Sequence, residues 1–184
     1  MIIHGETSKA FERRLREGWF YKYLNGTGID IGCANDPVTP TCRRWDQSNG
    51  DPDATLMQGI PDNSFDWVYT SHLLEHLNEP VTAIQNWWRI LKPGGLLIIC
   101  VPHRDLYEKK LTLPSLWNPD HKTFWVPHLP EPPNTLGLLD SFLTTIPDHF
   151  QIQSLQTLDE GFFCPSPTKH SAGEYTIEII VRKA

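Results

Sequence analysis

Residues 65–101 read FDWVYTSHLLEHLNEPVTAIQNWWRILKPGGLLIICV, and they contain the clearest evidence for the fold class. It begins with the strand-like segment 65–69 and ends with residues 96–101, a continuous apolar run typical of a strand buried on both faces. Between them, apolar side chains recur at helical spacing, with Pro80 in the first turn and the helix-ending residues 93–95 after the last. A strand, a helix and a buried strand form a βαβ crossover, so we predict a parallel sheet.

The flanking sequence predicts three further elements. Residues 8–24 carry apolar side chains on one helical face and predict an amphipathic N-terminal helix with Ser8 as its N-cap. Residues 29–31 predict a short buried strand. Residues 151–158 and 174–181 are rich in Ile, Leu and Thr, and they predict a closing β-hairpin.

The length of the chain predicts one domain over residues 1–184, because 184 residues and 21.1 kDa match one ordinary globular domain. Six of the 16 prolines lie between Pro114 and Pro133, a density that argues against a regular helix or a central strand. We therefore divide the domain into four parts: the N-terminal helix (8–24), a binding core (25–103), a proline-rich loop region (104–150) and the closing hairpin (151–184).

The composition of the chain argues against several classes of function. The 16 Lys and Arg residues against 22 Asp and Glu give a net charge of −6, which disfavours nucleic acid as a partner. The longest apolar run has six residues, too few to cross a membrane, and the first residues lack the layout of a signal peptide. We expect a soluble, cytoplasmic protein that binds neither nucleic acid nor a membrane. The cysteines form no C-x-x-C pair and are expected to be free thiols: Cys33, Cys42, Cys100 and Cys164.

The stretch 28–36, GIDIGCAND, predicts a strand that runs into a turn of small residues. Such a turn lets the backbone approach a ligand at the carboxyl end of a parallel strand, although a simple turn would have the same pattern. Asp46 and Asp53 follow, each placed beside a neighbouring short strand or, alternatively, in a surface loop. If Asp30 meets them in one crevice, the three carboxylates suit a ligand with hydroxyls, an amine and net positive charge better than a pyrophosphate.

Four segments together resemble a known family. They are Asp30-x-Gly32-x-Ala34, PDNSFD at 61–66, SHLLEHL at 71–77 and LKPGG at 91–95. In order and spacing they are similar to motifs of the class I S-adenosylmethionine-dependent methyltransferases over about residues 25–103. The resemblance implies an α/β fold with a Rossmann-like, mostly parallel sheet and a C-terminal antiparallel hairpin. It also implies methyl transfer from S-adenosyl-L-methionine to a small-molecule or glycan-type acceptor.

The resemblance also assigns nine residues to the cofactor pocket. The residues that would border the methionine moiety are Asp30, Gly32, Cys33 and Ala34. Asp46 would bind the ribose hydroxyls, and Asp53 and Ala54 would flank the adenine. Ser71 and His72 would line the side of the pocket near the sulfonium. Sulfonium and ammonium groups outweigh the single carboxylate of this cofactor, so an acidic pocket suits it.

The sequence departs from the family pattern in two ways. Ala34 and Asp36 replace the second and third glycines of the first motif. Only 13 residues separate Gly32 from Asp46 and six separate Asp46 from Asp53, whereas a βαβ unit needs about 30 residues. We therefore predict a sheet with few crossover helices, its exposed face covered by the N-terminal helix or by a second subunit in a homodimer. The missing helix also weakens a dinucleotide-binding interpretation.

Candidates for catalysis follow the buried strand and lie in the proline-rich region. Methyl transfer mainly requires alignment of acceptor and methyl group, and a base is needed only if the acceptor loses a proton. His103 is one candidate, and His121, oriented by the adjacent Asp120, is another. An adjacent Asp-His pair in a solvated turn is the structural alternative.

Three alternative functions stay open. His72-x-x-Glu75-His76 matches the H-x-x-E-H pattern of zinc peptidases. Residues 78–80 interrupt the helix that this pattern requires, so no metal site is predicted. The replaced glycines are also compatible with a non-catalytic domain that binds S-adenosylmethionine or a nucleotide. A methyltransferase acting on RNA or protein is the third alternative, and the acidic composition argues against RNA.

Overall fold

The computed structural model describes residues 5–146, 149–166 and 169–184. The strands are β1 (Gly28–Ile31), β2 (Arg43–Trp45), β3 (Phe65–Ser71), β4 (Leu91–Pro102), β5 (Phe124–Val126), β6 (Thr135–Gly137), β7 (Phe150–Leu158) and β8 (Thr176–Lys183). The α-helices are α1 (Glu6–Lys9), α2 (Phe11–Arg16), α3 (Trp19–Tyr23), α4 (Pro80–Ile90) and α5 (Leu138–Thr145).

Six strands form one mixed sheet in the order β2-β1-β3-β4-β8-β7. The pairs β1–β2, β1–β3 and β3–β4 are parallel, whereas β8 pairs antiparallel with both β4 and β7. The α/β class, the βαβ crossover and the closing hairpin predicted from the sequence are therefore confirmed.

The connections in the first half of the sheet are short, as the residue spacing predicts. Residues 32–42 link β1 to β2 without a helix, and residues 46–64 link β2 to β3 with a single 3-10 helix, Gln47–Asn49. Only α4 makes a full α-helical crossover within the described chain, between β3 and β4. Loops therefore form the carboxyl-end edge of β1 and β2.

The proline-rich region contains more regular structure than its composition predicts. β5 and β6 form a small parallel pair outside the main sheet, and α5 follows directly. Three-residue strands are too short to produce a periodic pattern. The expectation of a continuous loop over residues 104–150 is corrected accordingly.

One face of the main sheet carries the larger apolar core. Ile84, Trp87 and Ile90 of α4 are fully buried, and they belong to the same cluster as Ile29 and Ile99 of the sheet. Full burial of each such side chain stabilises the fold by about 1.5–3 kcal/mol. α4 is thereby held on the sheet, and with it the segment that leads from β3 into the helix.

Three short helices cover the opposite face, where the sequence predicts one helix over residues 8–24. Gly18 adopts φ +65° between α2 and α3, which ends α2 and redirects the chain. Ser8 lies inside α1 and is not an N-cap; its backbone N–H and its hydroxyl donate to Asp36. Phe11 and Leu15, predicted on the buried face, are 37% and 58% exposed.

Buried ion pairs fasten these helices to the sheet. Arg14 lies 3.0 Å from the carboxylate of Glu178 and donates to the Tyr69 hydroxyl at 2.9 Å. Arg13 makes a bidentate contact with Glu174 at 2.8 and 3.0 Å. The N-terminal segment therefore covers the sheet face, one of the two coverings that the sequence predicts.

The cysteines agree with a further expectation. Cys33, Cys42, Cys100 and Cys164 are free thiols, as predicted. Within the described part of the chain, no helix combines the length and apolar character needed to cross a membrane.

Candidate active site

A cavity of about 680 Å³ opens at the carboxyl ends of β1, β2 and β3. This volume lies within the range of about 300–1,000 Å³ that is usual for small-molecule sites. Ligands of open α/β sheets bind at this edge, where the strand order reverses. β1 stands between β2 and β3, so the order reverses beside the cavity.

Gly32 provides the floor of the cavity directly after β1. Its φ is +78°, and a Cβ built at this position would lie 2.8 Å from Cδ2 of Leu73. Both the backbone conformation and the close approach of Leu73 require glycine here. The backbone of Gly32 is therefore open to a ligand.

Asp46, directly after β2, holds the neighbouring loops through its carboxylate. Oδ2 accepts a hydrogen bond from the backbone N–H of Ala34 at 2.9 Å. Oδ1 accepts from the backbone N–H and the hydroxyl of Ser48 at 2.8 and 2.5 Å. Burial raises the pKa of Asp46, but the hydrogen bonds from Ser48 and Ala34 outweigh it and hold the pKa below its usual range. The carboxylate is therefore ionised at neutral pH.

Two tryptophans fix the loop that carries Asp53 and Ala54. Nε1 of Trp45 donates to the carbonyl of Pro52 at 3.0 Å, and Nε1 of Trp87 donates to the carbonyl of Ala54 at 2.9 Å. Oδ1 of Asp53 accepts a hydrogen bond from the backbone N–H of Thr55 at 2.6 Å. Asp53 and Ala54 thus line the same cavity as Gly32 and Asp46.

The lining of the cavity is acidic. Its carboxylates belong to Asp46, Asp53, Glu79 and Asp120, and none of the described residues that line it is Lys or Arg. Such a surface attracts a cationic ligand and repels a pyrophosphate. The cavity therefore has the electrostatic character that the sequence predicts.

Asp30 in β1 and Cys33 and Ala34 in the turn that follows lie beside the cavity and do not line it. Asp30 is buried, and its Oδ2 accepts a hydrogen bond from the backbone N–H of Val38 at 2.6 Å. Burial raises the pKa of Asp30 to about 7. Cys33 is also buried, whereas Ala34 is exposed with φ +43°. Of the three carboxylates predicted to converge, Asp46 and Asp53 share the cavity and Asp30 supports the turn.

Asp36, the less expected departure in the glycine motif, has a structural contact. Its carboxylate accepts the backbone N–H of Ser8 at 2.9 Å, and its own backbone N–H donates to the carbonyl of Cys33 at 2.8 Å. Asp36 therefore joins the turn after β1 to the N-terminal helices.

Ser71 and His72 lie at the end of β3 but outside the cavity. Oγ of Ser71 is 3.0 Å from Nδ1 of His72, and Nε2 of His72 is 3.5 Å from the Thr176 hydroxyl and 3.8 Å from Glu6. Burial lowers the pKa of His72 to about 4, so the ring is neutral at pH 7. The structure brings these two residues together with the N-terminal segment and β8.

Residues 74–76 form a 3-10 helix beside the cavity, and its central residue is an isolated carboxylate. The side chain of Glu75 is 1% exposed, and neither of its oxygens has a hydrogen-bond partner among the described residues. Burial raises the pKa of Glu75 well above its usual range. The sequence offers His72, Glu75 and His76 as a zinc pattern, but the 3-10 turn sends His72 toward Glu6.

Two histidines flank Glu75, and each is held by another carboxylate. Nδ1 of His76 lies 3.0 Å from Oδ2 of Asp120, and Nδ1 of His121 contacts Oε1 of Glu108 at 2.5 Å. The two imidazoles meet edge to face, with centroids 4.7 Å apart. Asp120 thus contacts His76 and not its sequence neighbour His121.

The predicted catalytic residues occupy three different places. Asp120 and His76 line the cavity, His121 is buried behind His76, and His103 accepts the backbone N–H of Asp105 away from the cavity. Sequence reasoning missed Glu108, which is buried and also accepts the hydroxyl of Ser115. One feature of the sequence relates this part of the chain to the HxxEH segment at 72–76. Residues 120–121, like residues 75–76, place a histidine directly after an acidic residue.

Comparisons with known proteins agree with this geometry. The family model described as "Methyltransferase domain" matches residues 16–99. An uncharacterized methyltransferase of Schizosaccharomyces pombe is 43% identical over 64 residues, 30% of this chain and 23% of the relative. A demethylmenaquinone methyltransferase of Renibacterium salmoninarum is 37% identical over 75 residues, 36% of this chain and 31% of the relative. The chain thus spans about a quarter to a third of these curated relatives.

Solved structures share the fold. A SAM-dependent methyltransferase from Thermotoga maritima has a TM-score of 0.53 and 19% identity, covering 94% of this chain and 97% of the other. A SAM-dependent methyltransferase from Aquifex aeolicus has a TM-score of 0.54 and 13% identity, covering 94% and 89%. Together with the family-model match and the four sequence motifs, these findings show that the chain is similar to S-adenosylmethionine-dependent methyltransferases in sequence over residues 16–99 and in fold over most of its length.

Proposed function

We propose that this chain transfers a methyl group from S-adenosyl-L-methionine to a small-molecule or glycan-type acceptor bound in the same cavity. The family and the fold imply S-adenosyl-L-methionine as the cofactor. The observation that carries the proposal is the acidic cavity at the carboxyl ends of β1–β3, with Gly32 as its floor.

The donor groups of the cavity fit this cofactor. A carboxylate offers about four lone-pair sites, and Asp46 uses three of them for Ala34 and Ser48. The remaining site suits a ribose hydroxyl, which is a hydrogen-bond donor. Asp53 and Ala54 lie on the same side of the cavity and suit the adenine. The surplus of carboxylates complements the positive charges of the sulfonium and ammonium groups.

The chain itself has to align the reactants. When bound, the cofactor supplies a methyl group already activated on a sulfonium. Leu73 and Leu77 also line the cavity. We infer that these apolar side chains keep water from the reacting atoms while the walls hold donor and acceptor in line, which is the main contribution to this type of reaction.

The acceptor side of the cavity is polar. Asn78, Glu79 and Asp120 line it, and they offer both acceptors and donors to a hydroxyl-bearing molecule. The opening faces solvent, which suits a glycan or another polar metabolite. Catalytic roles for His103, Asp120 and His121 stay predictions; of these three, Asp120 lines the cavity.

A turnover assay tests this proposal. The purified chain would be incubated with methyl-labelled S-adenosylmethionine and a panel of sugars, nucleotide sugars and hydroxylated metabolites, and S-adenosylhomocysteine would be measured. We expect product formation that depends on one acceptor class and is lost in Asp46→Ala. Binding of S-adenosylhomocysteine without turnover on any acceptor would indicate the non-catalytic alternative.

A further inference from the structure

We propose that Glu75, His76 and His121 bind one divalent transition-metal ion of the zinc type at the acceptor side of the cavity. The ligand atoms of these three side chains all lie within 4.8 Å of one another. Oε1 of Glu75 is 3.9 Å from Nε2 of His76 and 4.0 Å from Nε2 of His121. The nine-residue cofactor pocket predicted from the sequence does not include them.

The strongest sign of a missing ligand is the carboxylate of Glu75. It is buried, it has no hydrogen-bond partner among the described residues, and it faces two imidazole nitrogens at distances too long for hydrogen bonds. An unpaired buried carboxylate is costly, and buried charges in proteins are usually paired or coordinate a metal. A cation between Glu75 and the two histidines would supply the absent partner.

The carboxylates behind the histidines favour the same interpretation. Asp120 and Glu108 each contact Nδ1, which leaves Nε2 as the free nitrogen of His76 and His121. Carboxylate–histidine pairs of this kind orient metal ligands and fix the tautomer in which the coordinating nitrogen carries no proton. The Glu108 carboxylate also offsets the charge of the ion, whereas Asp120 is shared with Lys122, whose Nζ lies 2.8 Å from its Oδ1.

The backbone holds the two ligand-bearing segments together. The carbonyl of Glu75 accepts hydrogen bonds from the N–H groups of Lys122 at 2.7 Å and Thr123 at 3.3 Å. His121 is thereby fixed against the 3-10 helix that carries Glu75 and His76. Ligand atoms of a tetrahedral site with bonds of about 2.0–2.2 Å lie about 3.4 Å apart, so small side-chain rotations close the observed spacing.

Two imidazoles and one carboxylate leave a coordination position free, as in catalytic zinc sites. His76 and Asp120 line the cavity, so this position faces the acceptor. The role in catalysis rests on the proposed function: an acceptor hydroxyl bound there would lose its proton to solvent more easily. Its oxygen would then bond to the methyl carbon as the carbon–sulfur bond breaks and the electron pair returns to sulfur.

Metal binding can be measured without cofactor or acceptor. Chelator-treated, dialysed protein would be titrated with Zn²⁺ by calorimetry and with Co²⁺ by visible absorption, using wild type, Glu75→Gln, His76→Ala and His128→Ala. His128 lies outside the cluster, so its variant controls for adventitious binding by another imidazole. We expect one ion per wild-type chain, unchanged affinity in His128→Ala and at least 100-fold weaker binding in the other two variants.

Thermal unfolding distinguishes loss of the metal from loss of the fold. An ion that binds only the folded state raises the unfolding temperature. We expect Zn²⁺ to raise it for wild type and His128→Ala and to leave it unchanged for Glu75→Gln, which should unfold cooperatively without metal. Equal Zn²⁺ affinity in wild type and Glu75→Gln, or no binding in wild type, would overturn the metal site.

A chelator separates this proposal from the proposed function. Turnover that survives complete metal removal, in a protein that does not bind Zn²⁺, would leave the methyl transfer standing and remove the metal. Stoichiometric Zn²⁺ binding without turnover on any acceptor would leave the metal site standing and remove the methyl transfer.

Discussion

The two walls of the cavity use carboxylates in different ways. In the loop wall, residues 32–56 with Asp30 beneath them, carboxylates mainly accept main-chain N–H groups. In the histidine wall, residues 72–79 and 118–122, carboxylates contact imidazoles, and Glu75 has no hydrogen-bond partner among the described residues. Every carboxyl group of the loop wall therefore has at least one hydrogen-bond partner, whereas both oxygens of the buried Glu75 carboxyl group in the histidine wall lack one among the described residues, and a bound cation would supply it.

The largest effect is expected from Asp30→Asn, which removes the buried acid beneath the loop wall. The folded state holds the Asp30 proton up to a pKa of about 7, whereas the unfolded chain releases it near 3.8. Between these values the folded state binds more protons, so the contribution of Asp30 to stability falls as pH rises from about 4 to about 7. Urea unfolding should show the Asp30→Asn variant and wild type similar near pH 4, and the variant favoured by up to roughly 4 kcal/mol near pH 7.

If the difference in unfolding free energy between wild type and Asp30→Asn stayed constant from pH 4 to pH 7, it would contradict the raised pKa of Asp30. The hydrogen bond from the Val38 N–H is retained by the side-chain oxygen of asparagine, so the comparison isolates the charge.

Asp46→Ala should weaken binding of S-adenosylhomocysteine about 100-fold, equivalent to about 2.7 kcal/mol. The change removes both the proposed contact to the ribose and the hydrogen bonds that order the Ala34 and Ser48 loops. Calorimetry would measure the affinity. Asp62→Ala is the matched control, because Asp62 is exposed, pairs with Arg89 and lies outside the cavity. Similar affinities for the two variants would place the cofactor elsewhere.

Gly32→Ala tests whether the close approach of Leu73 requires glycine at position 32, and Gly59→Ala is its control. Both glycines have φ near +80°, but a Cβ at Gly59 would meet nothing within 4 Å, whereas one at Gly32 would press on Leu73. The backbone cost is about 1–2 kcal/mol in each case. We expect Gly32→Ala to lower the free energy of unfolding by about 1 kcal/mol more, since overpacking adds to the strain. If urea unfolding showed equal losses of unfolding free energy in the two variants, Leu73 would have to move aside for the added methyl group without cost.

Asp120→Asn should have the smallest effect, confined to the histidine wall. The aspartate is exposed, so the urea midpoint should stay unchanged. If His76 is a metal ligand, loss of the carboxylate behind it should weaken Zn²⁺ binding by about tenfold. Calorimetry with Zn²⁺ would measure this change, and an unaltered affinity would argue that Asp120 does not support His76.

The sheet can be predicted from sequence where its elements bury long, regular patterns. β3, α4 and β4 have continuous apolar runs or helical spacing, and the missing crossovers follow from the count of residues between Gly32 and Asp53. The sequence predicts the N-terminal helices as one, because apolar spacing does not reveal that Gly18 adopts φ +65° or that Arg14 is buried by pairing with Glu178.

The sequence predicts residues of the loop wall of the candidate site, but it does not predict the contacts of the histidine wall. Gly32, Asp46, Asp53 and Ala54 follow strand ends, so topology alone brings them to one edge. The histidine wall depends on contacts between residues far apart in the chain, such as Glu108 with His121 and Glu75 with His121. Spacing within one segment cannot show such pairing, which explains why the sequence does not reveal Glu108 and groups His72 with His76.

A crystal structure of the chain with S-adenosylhomocysteine would show directly whether the acidic cavity holds the cofactor. We expect the ribose within hydrogen-bond distance of Asp46, the adenine beside Asp53 and Ala54, and the sulfur facing Leu73 and the histidine wall. Density for the ligand in another place, or a protein that binds none at millimolar concentration, would contradict it.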